Sequence, residues 1–385
     1  MTTWSVVKDD TREKRLQDLF PRSLPRWALL ACLALVVVSL GVAVTAVRPP
    51  DPAEPPFSEQ ARAAALTETL RLRAAGEQLG RAAPGTAPDP GQAAAGQTVT
   101  LLTTQARALL APGDDTPEAS ARAATPLLSS TALPTPAPLP SSAAGLVAAL
   151  AESGGQRLAA AAVADGGMAR LLTAVGTAQL LQASALAAAT GTAAPPAADV
   201  ASPQLSGACP SGSAAASPSP SPGGDSPSGA ASLEAALAAT VRTEAESVYA
   251  YQVALPRLGG DAAKAASEQL ARHEGLLNGA EALSRTHCSP VPPRDAGYTL
   301  GKSFLAAPAS GLADLETATL PVYGDLVALS EGETRQWAIY ALLGAARRAV
   351  FWGADPGAIP GLAADPASFP ALPATGSPSP SPTGS

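Results

Sequence analysis

The chain has 385 residues, a formal net charge of −7, and a composition that is 46% hydrophobic but only 4% aromatic. Basic residues cluster only before the first apolar run, so the electrostatic footprint of a nucleic-acid binder is missing. Alanine, the strongest helix former, supplies most of the apolar count, and β-branched runs are confined to one stretch near the N-terminus, which excludes a β-rich fold and predicts an all-α protein.

That stretch, Trp27 through Val47, contains no charge. As a helix rising about 1.5 Å per residue it would span about 30 Å, the thickness of a bilayer's hydrocarbon core. Lys8, Arg12, Lys14, Arg15, Arg22 and Arg26 precede it, whereas only Arg48 and Arg62 follow closely. The positive-inside bias then places residues 1–26 in the cytoplasm and predicts a single-pass protein of the cell membrane whose bulk is extracytoplasmic. Two alternatives fit less well. A cleaved signal peptide could use Val44 and Ala46 as its small residues, but the charged leader is long for one. Lipid attachment at Cys32 would place the cysteine near the start of the apolar run instead of its end.

Pro, Ser and Gly mark the seams beyond the anchor. Residues 48–56 read as a stalk, 112–140 as an insertion, 191–231 as a linker with repeated Ser-Pro, and 356–385 as a flexible tail; such segments bury too little apolar surface to offset the entropy of ordering. Two blocks remain, 57–190 and 232–355. The first predicts helices near 58–82, 92–111, 142–164 and 167–189, with Pro84, Pro112 and Gly166-Gly167 as breakers. The second predicts 232–258, 261–286, 310–330 and 332–352, with Ser232 as N-cap, Gly259-Gly260 as the first turn and Gly353 as the stop. The shared layout suggests two four-helix bundles in tandem.

In the second block Leu233, Leu237, Val241, Glu244, Val248, Tyr251 and Leu255 follow the spacing of one helix face, so a carboxylate falls inside an apolar stripe. Ala266, Leu270, His273, Leu277, Ala280 and Ser284 form the matching stripe on the next helix. An antiparallel hairpin closed by the two glycines would put Glu244 and His273 at the same level. In an oxidising exterior a Cys209–Cys288 disulfide is the default, since Cys288 would end the second helix beside the start of the first, to which Cys209 is tethered. Two independent thiols are the alternative.

Glu244-Ala-Glu-Ser-Val-Tyr-Ala-Tyr251, His273 on the next helix, Leu315-Glu316 on the third, Arg347-Arg348 with Phe351-Trp352 on the fourth, and the closing Phe369-Pro-Ala-Leu-Pro373 resemble a ferritin-like domain of unknown function found in secreted or membrane-anchored bacterial envelope proteins. The resemblance covers about 232–372. The first block, with Met168-Ala-Arg-Leu-Leu172 on its last helix, is similar to the divergent helical half that precedes such domains. Ferritin-like proteins raise the question of a di-iron centre, which takes a Glu from each of two helices and a Glu-x-x-His from each of the others. The chain has two histidines. Neither Glu268 nor Glu274 stands at the required offset from His273, His287 adjoins Cys288 at a helix end, and the fourth helix is read as presenting Trp337, Tyr340, Leu343 and Arg347 inward. No two-metal site is expected.

A reduced site remains conceivable, with Glu244, His273 and Glu316 holding one divalent ion. The favoured expectation is a buried polar cluster of Glu244, His273 and Arg347, retained for packing specificity, with no cofactor. Pro321 within the third helix is expected to kink it near Glu316. The first block has no histidine, its carboxylates Glu59, Glu68, Glu77 and Glu152 are read as mostly facing solvent, and Gln105 lies where an inward ligand would be.

Two motifs tempt and fail. Gly297-Tyr-Thr-Leu-Gly301-Lys302-Ser303 is one residue short of a phosphate-binding loop and lacks the preceding strand, so no nucleotide is expected. Leu372-Pro-Ala-Thr-Gly376 matches a sortase signal without the apolar segment and basic tail that must follow one. The resulting expectation is a non-catalytic structural or interaction module of the envelope, with the membrane as one partner, protein partners unknown and homo-oligomerisation left open. Its rival is a metal-binding or metal-dependent redox protein using Glu244, His273 and Glu316. A bundle that holds a small apolar ligand in a cavity between alanine-lined helices ranks third.

Overall fold

Ser142, Asp165 and Ser232 each stand in extended backbone and accept a hydrogen bond from the N–H three residues on: Gly145 at 3.1 Å, Met168 at 3.1 Å and Ala235 at 3.2 Å. Each satisfies one orphan donor of a helix's first turn, which is why helices begin there. Gly191 ends one of them at φ 63, a left-handed position where the absence of a Cβ removes the steric penalty.

The computed structural model describes residues 30, 31, 33–35, 54–81, 90–110, 138–195, 231–362 and 364–373. The chain divides into two units, Met1–Pro55 and Pro56–Ser385. In the first, residues 30–31 and 33–35 are helical, with Leu30, Leu33 and Leu35 exposed. The rest of the expected 27–47 span lies outside the described residues.

The second unit contains α1 (Phe57–Arg81), α2 (Pro90–Leu109), α3 (Ala143–Ala161), α4 (Gly166–Thr190), α5 (Leu233–Ala254), α6 (Gly260–Thr286), the short α7 (Lys302–Ala306), α8 (Pro308–Leu329) and α9 (Gly332–Phe351). No strand occurs among the described residues. Each expected helix is present within a few residues of its expected ends. α7 is the addition; Gly301 stands at its N-cap and Lys302-Ser303 open it. Pro321 sits inside α8, and in the turn before it Thr319 Oγ1 donates to the Glu316 carbonyl at 2.7 Å.

Consecutive helices pack in pairs, α1 on α2, α3 on α4, α5 on α6 and α8 on α9, while α8 also packs on α5 and α4. The halves meet in one continuous core that includes Ala65, Leu109, Leu172 and Val175 from the first and Leu237, Leu320, Tyr323 and Trp337 from the second. Close backbone approach makes this contact: Gly166, at the start of α4, sits against the Ala328 carbonyl, where any Cβ would collide. Arg335 reaches across from α9 to the Ala164 carbonyl. Smaller apolar clusters fill the far end of the first half, around Leu72, Leu102 and Leu146, and the space around Tyr251, Phe304 and Leu312.

The tail differs from expectation. Residues 356–362 and 364–373 do not leave the surface. Arg170 on α4 donates to the Gly361 carbonyl through Nε and Nη2 at 2.9 and 2.7 Å, Arg107 on α2 donates to Pro370 at 2.9 Å and to Phe369, and Ile359 is buried. Arginine side chains of the first half supply the donors that a Pro-rich segment cannot find within itself. Residues 374–385 lie outside the described residues.

Among the described residues one helix, α4, is long and apolar enough to cross a membrane, with a mean hydropathy of 1.4 over its most apolar window. Two thirds of that window (67%) is buried inside the protein, as in the core helix of a globular unit.

Candidate functional site

Glu244 on α5, His273 on α6 and Glu316 on α8 converge, and all three are fully buried. His273 lies between the carboxylates, with Nδ1 2.9 Å from Glu244 Oε2 and Nε2 2.8 Å from Glu316 Oε1. The α5–α6 hairpin therefore brings acid and imidazole to one level, as their distances from the Gly259-Gly260 turn imply.

The arginine expected in the polar cluster with Glu244 and His273 is corrected. Arg347 is exposed on α9, and its neighbour Arg348 is the buried one, at 5% exposure. Arg348 Nε contacts both Glu316 oxygens, at 2.8 and 2.9 Å. The inner face of α9 runs through Thr334, Trp337, Ala338, Ala341, Ala345 and Arg348, while Tyr340 and Arg347 point outward. Alanine gives little side chain from which to phase a helix, and the apolar arc of α9 is wide, so a one-residue slip changes which arginine enters the core.

Three aromatic residues complete the network. Tyr251 donates to Glu316 Oε1 at 2.7 Å and receives the Trp352 indole N–H at 2.8 Å; Tyr323 donates to Glu244 Oε1. The Tyr251 ring stacks near the imidazole, with centroids 4.9 Å apart. The tyrosines lie on the faces of α5 and α8 that carry the carboxylates, and buried phenols need a polar partner. Tyr251 was visible on the α5 stripe. Tyr323 lies outside the expected cluster, and its place seven residues after Glu316, on the same helix face, is the signal for it.

Electrostatics follow from this arrangement. Burial would raise the Glu316 pKa, but the Arg348 guanidinium and His273 outweigh it and hold the carboxyl at about 2. Burial also opposes a charged imidazole, and here too the carboxylates of Glu244 and Glu316 prevail, so His273 titrates above its usual value. Burial, reinforced by the adjacent carboxylate, pushes the Tyr251 and Tyr323 phenols up. A neutral imidazole has a single N–H and would turn a lone pair toward one carboxylate. The geometry thus calls for an imidazolium donating from both nitrogens. Two carboxylates, one guanidinium and one imidazolium then sum to zero charge inside the core.

Each carboxylate oxygen already receives an N–H or O–H, and both imidazole nitrogens are engaged. Among the described residues no group of three or more His, Cys, Asp or Glu side chains is placed to hold a metal ion. The donor set fits neither a di-iron centre, which needs more carboxylates, nor a single-ion site while a guanidinium covers Glu316.

Residues 236–364 match a domain of unknown function, DUF4439. No curated protein and no solved structure matches the chain. The matched DUF4439 segment contains the whole polar cluster, from Glu244 to Trp352. It supports the resemblance in its coarser form, as a C-terminal domain of unknown function.

The first half carries a neutral network instead. Gln179 Nε2 donates to Gln105 Oε1 at 3.0 Å and to Thr69 Oγ1 at 3.4 Å, and Gln105 Nε2 reaches the Ala358 carbonyl at 3.0 Å. Gln105 is fully buried, as its position implied. Glu59 and Glu152 are exposed, while the half-buried Glu68 and Glu77 pair with Arg71 and Arg73. A groove of about 660 Å³ lies between α2, α4 and residues 354–358, lined by Thr100, Leu101, Thr104, Leu181 and Gln182 among others. It shares no residue with the cluster.

Of the expected disulfide, Cys209 lies outside the described residues. Cys288 follows the end of α6, where the backbone turns out of the helix through Cys288 N–H to Arg285 O and Ser289 N–H to Ser284 O. His287, beside it, hydrogen-bonds Thr334 Oγ1 on α9 at 2.8 Å and has no part in the cluster.

Proposed function

We propose that this chain is a membrane-anchored, extracytoplasmic protein whose C-terminal half has a ferritin-like arrangement without metal chemistry, and that it serves the cell envelope as a non-catalytic structural or interaction module. One observation carries the reading: the only imidazole in the core is spent between two carboxylates, one of which is covered by Arg348. A charge-balanced cluster whose carboxylate oxygens and imidazole nitrogens are all engaged has no open position for substrate or ion, and its use is to fix helix register, which buried ionic groups do in some proteins. The anchor at 27–47, the Cys209–Cys288 bridge and a tandem-bundle layout belong to the same proposal, supported by hydropathy, compartment and the pairwise packing of helices.

The rival, metal binding through Glu244, His273 and Glu316, draws on the convergence of those side chains. Metal analysis of the full chain in detergent, with and without His273→Ala, decides between them. No stoichiometric ion in either is expected; an ion present in the parent and lost in the variant overturns the proposal. A reporter fused at the carboxyl end is expected to be active outside the cytoplasm, and activity inside removes the topology. Thiol titration is expected to release Cys209 and Cys288 only after reduction.

A further inference from the structure

We propose that the groove between α2, α4 and residues 354–358 binds a small organic cation, an apolar body carrying one ammonium group, with the body against the leucines of α2 and α4 and the charge at Asp355. This goes beyond the envelope module and uses no residue of the Glu244–His273–Glu316 cluster.

At about 660 Å³ the groove has the size of a small-molecule site, and it opens where α2 and α4 of the first half meet the end of α9 and the loop after it. That loop is fixed from within the protein. Gln105 Nε2 donates to the Ala358 carbonyl at 3.0 Å, and the Gly357 N–H donates to Asp355 Oδ1 at 2.9 Å, with Gly357 in the left-handed region at φ 77. A ligand therefore meets a wall already in place and does not have to order it. Leu101 on α2, Leu181 on α4 and Val350 at the end of α9 give the groove its apolar surface, and Val350 is 47% exposed. Apolar side chains left open to water inside a concavity favour an apolar occupant.

The polar side chains of the lining set the sign of that occupant. Thr100 Oγ1 donates its one hydrogen to the Gly96 carbonyl at 3.1 Å, and Thr104 Oγ1 donates its own to the Thr100 carbonyl at 3.2 Å. The Gln182 amide donates to Thr98 Oγ1 at 2.8 Å and to the Ala94 carbonyl at 3.5 Å, which uses both of its hydrogens. Each of these groups is left with oxygen lone pairs to offer. Gln97, which is exposed, is the one lining side chain among the described residues that still has hydrogens to donate. Asp355 is the one charged residue in the lining, and the Gly357 bond to Oδ1 leaves Oδ2 as an acceptor. Acceptors around a single carboxylate select a positively charged donor and reject an anion of the same shape.

The test uses probes that share an apolar cage and differ in head group: adamantylamine, adamantanol and adamantanecarboxylate. Each is titrated by calorimetry into the full chain in lipid nanodiscs, with empty nanodiscs as the blank for partitioning into lipid. The amine is expected to bind one equivalent about tenfold more tightly than the alcohol, as a charge-assisted hydrogen bond allows, and the carboxylate is expected not to bind. Asp355→Asn, whose amide oxygen can still receive the Gly357 N–H, should weaken the amine to the level of the alcohol and leave the alcohol unchanged. Ala185→Trp, at an exposed lining position on α4, should fill the groove and abolish binding of both. The ranking of the probes on the parent tests the charge without any variant. No saturable binding of the amine, an alcohol or carboxylate that binds as tightly as the amine, an amine affinity unchanged in Asp355→Asn, or binding that survives Ala185→Trp overturns the proposal. None of these results bears on the cluster, so the reading of the chain as a non-catalytic envelope module fails or stands separately.

Discussion

Arg348 grips both oxygens of Glu316 through one nitrogen, at 2.8 and 2.9 Å, where the arginine is 5% exposed and the glutamate not at all. Neither group can turn to water if the other is lost. Breaking a buried pair by removing one partner leaves an uncompensated charge and typically costs about 3–5 kcal/mol.

Arg348→Ala is therefore expected to lower unfolding stability by about 3–5 kcal/mol, whereas Arg347→Ala, on the exposed side of the same helix, is expected to cost less because its charge remains in contact with water. Denaturant unfolding of the two variants side by side is the measurement. Equal losses would show that the core does not discriminate between the adjacent arginines.

The cluster sets opposite pH limits on stability. Glu316 is held at about 2 against an ordinary 4.5, so its contribution is complete above about pH 4.5 and is lost as pH falls through about 2. His273 titrates above its ordinary 6.5, so its contribution is complete below about 6.5 and is lost as pH rises through its higher folded value. The maximum contribution of this pair falls between about pH 4.5 and 6.5. Unfolding free energy measured across pH should show both limbs in the parent, and His273→Gln should flatten the alkaline one; an alkaline limb unchanged in that variant would assign it to another group.

Helices α3 and α4 cross at two glycines. A Cβ on Gly154 would lie 2.8 Å from Leu180 Cγ and 2.9 Å from the Gly176 carbonyl oxygen, while one on Gly155 would meet nothing within 4 Å. Gly154→Ala should cost about 1–3 kcal/mol by overpacking, and Gly155→Ala, in the interior of the same helix, should gain about 0.5–1 kcal/mol. Thermal unfolding of both variants checks the sign. Stabilisation by each would mean that the helices separate easily.

Arg170 ties the tail to the first half. Its Nε and Nη2 hold the Gly361 carbonyl and its Nη1 pairs with Asp325 on α8. Arg170→Ala is expected to lower stability by about 1–3 kcal/mol, because a buried acceptor loses a charged donor, and to expose residues 354–373 to proteolysis. Limited proteolysis with mass analysis of the first cuts is the readout, and a cleavage pattern identical to the parent's would refute the tether.

Composition and periodicity determined much of this protein. Ala-rich runs between Gly and Pro breakers specify helices locally, because propensity and capping act within a few residues, and Ser232 and the Gly259-Gly260 turn were readable for that reason. Glu244 and His273 could be placed together because one hairpin relates them and its register is counted along the chain. Tertiary structure alone decided the rest. Arg348 replaced Arg347 because the facing helices choose the phase of a mostly alanine stripe. The Gln105–Ala358 and Arg170–Gly361 bonds bound a Pro-rich tail that composition reads as unattached, since their donors come from distant helices. The halves share a core for the same reason: packing between α4 and α8 depends on which surfaces remain uncovered after each hairpin forms, and no local pattern records that.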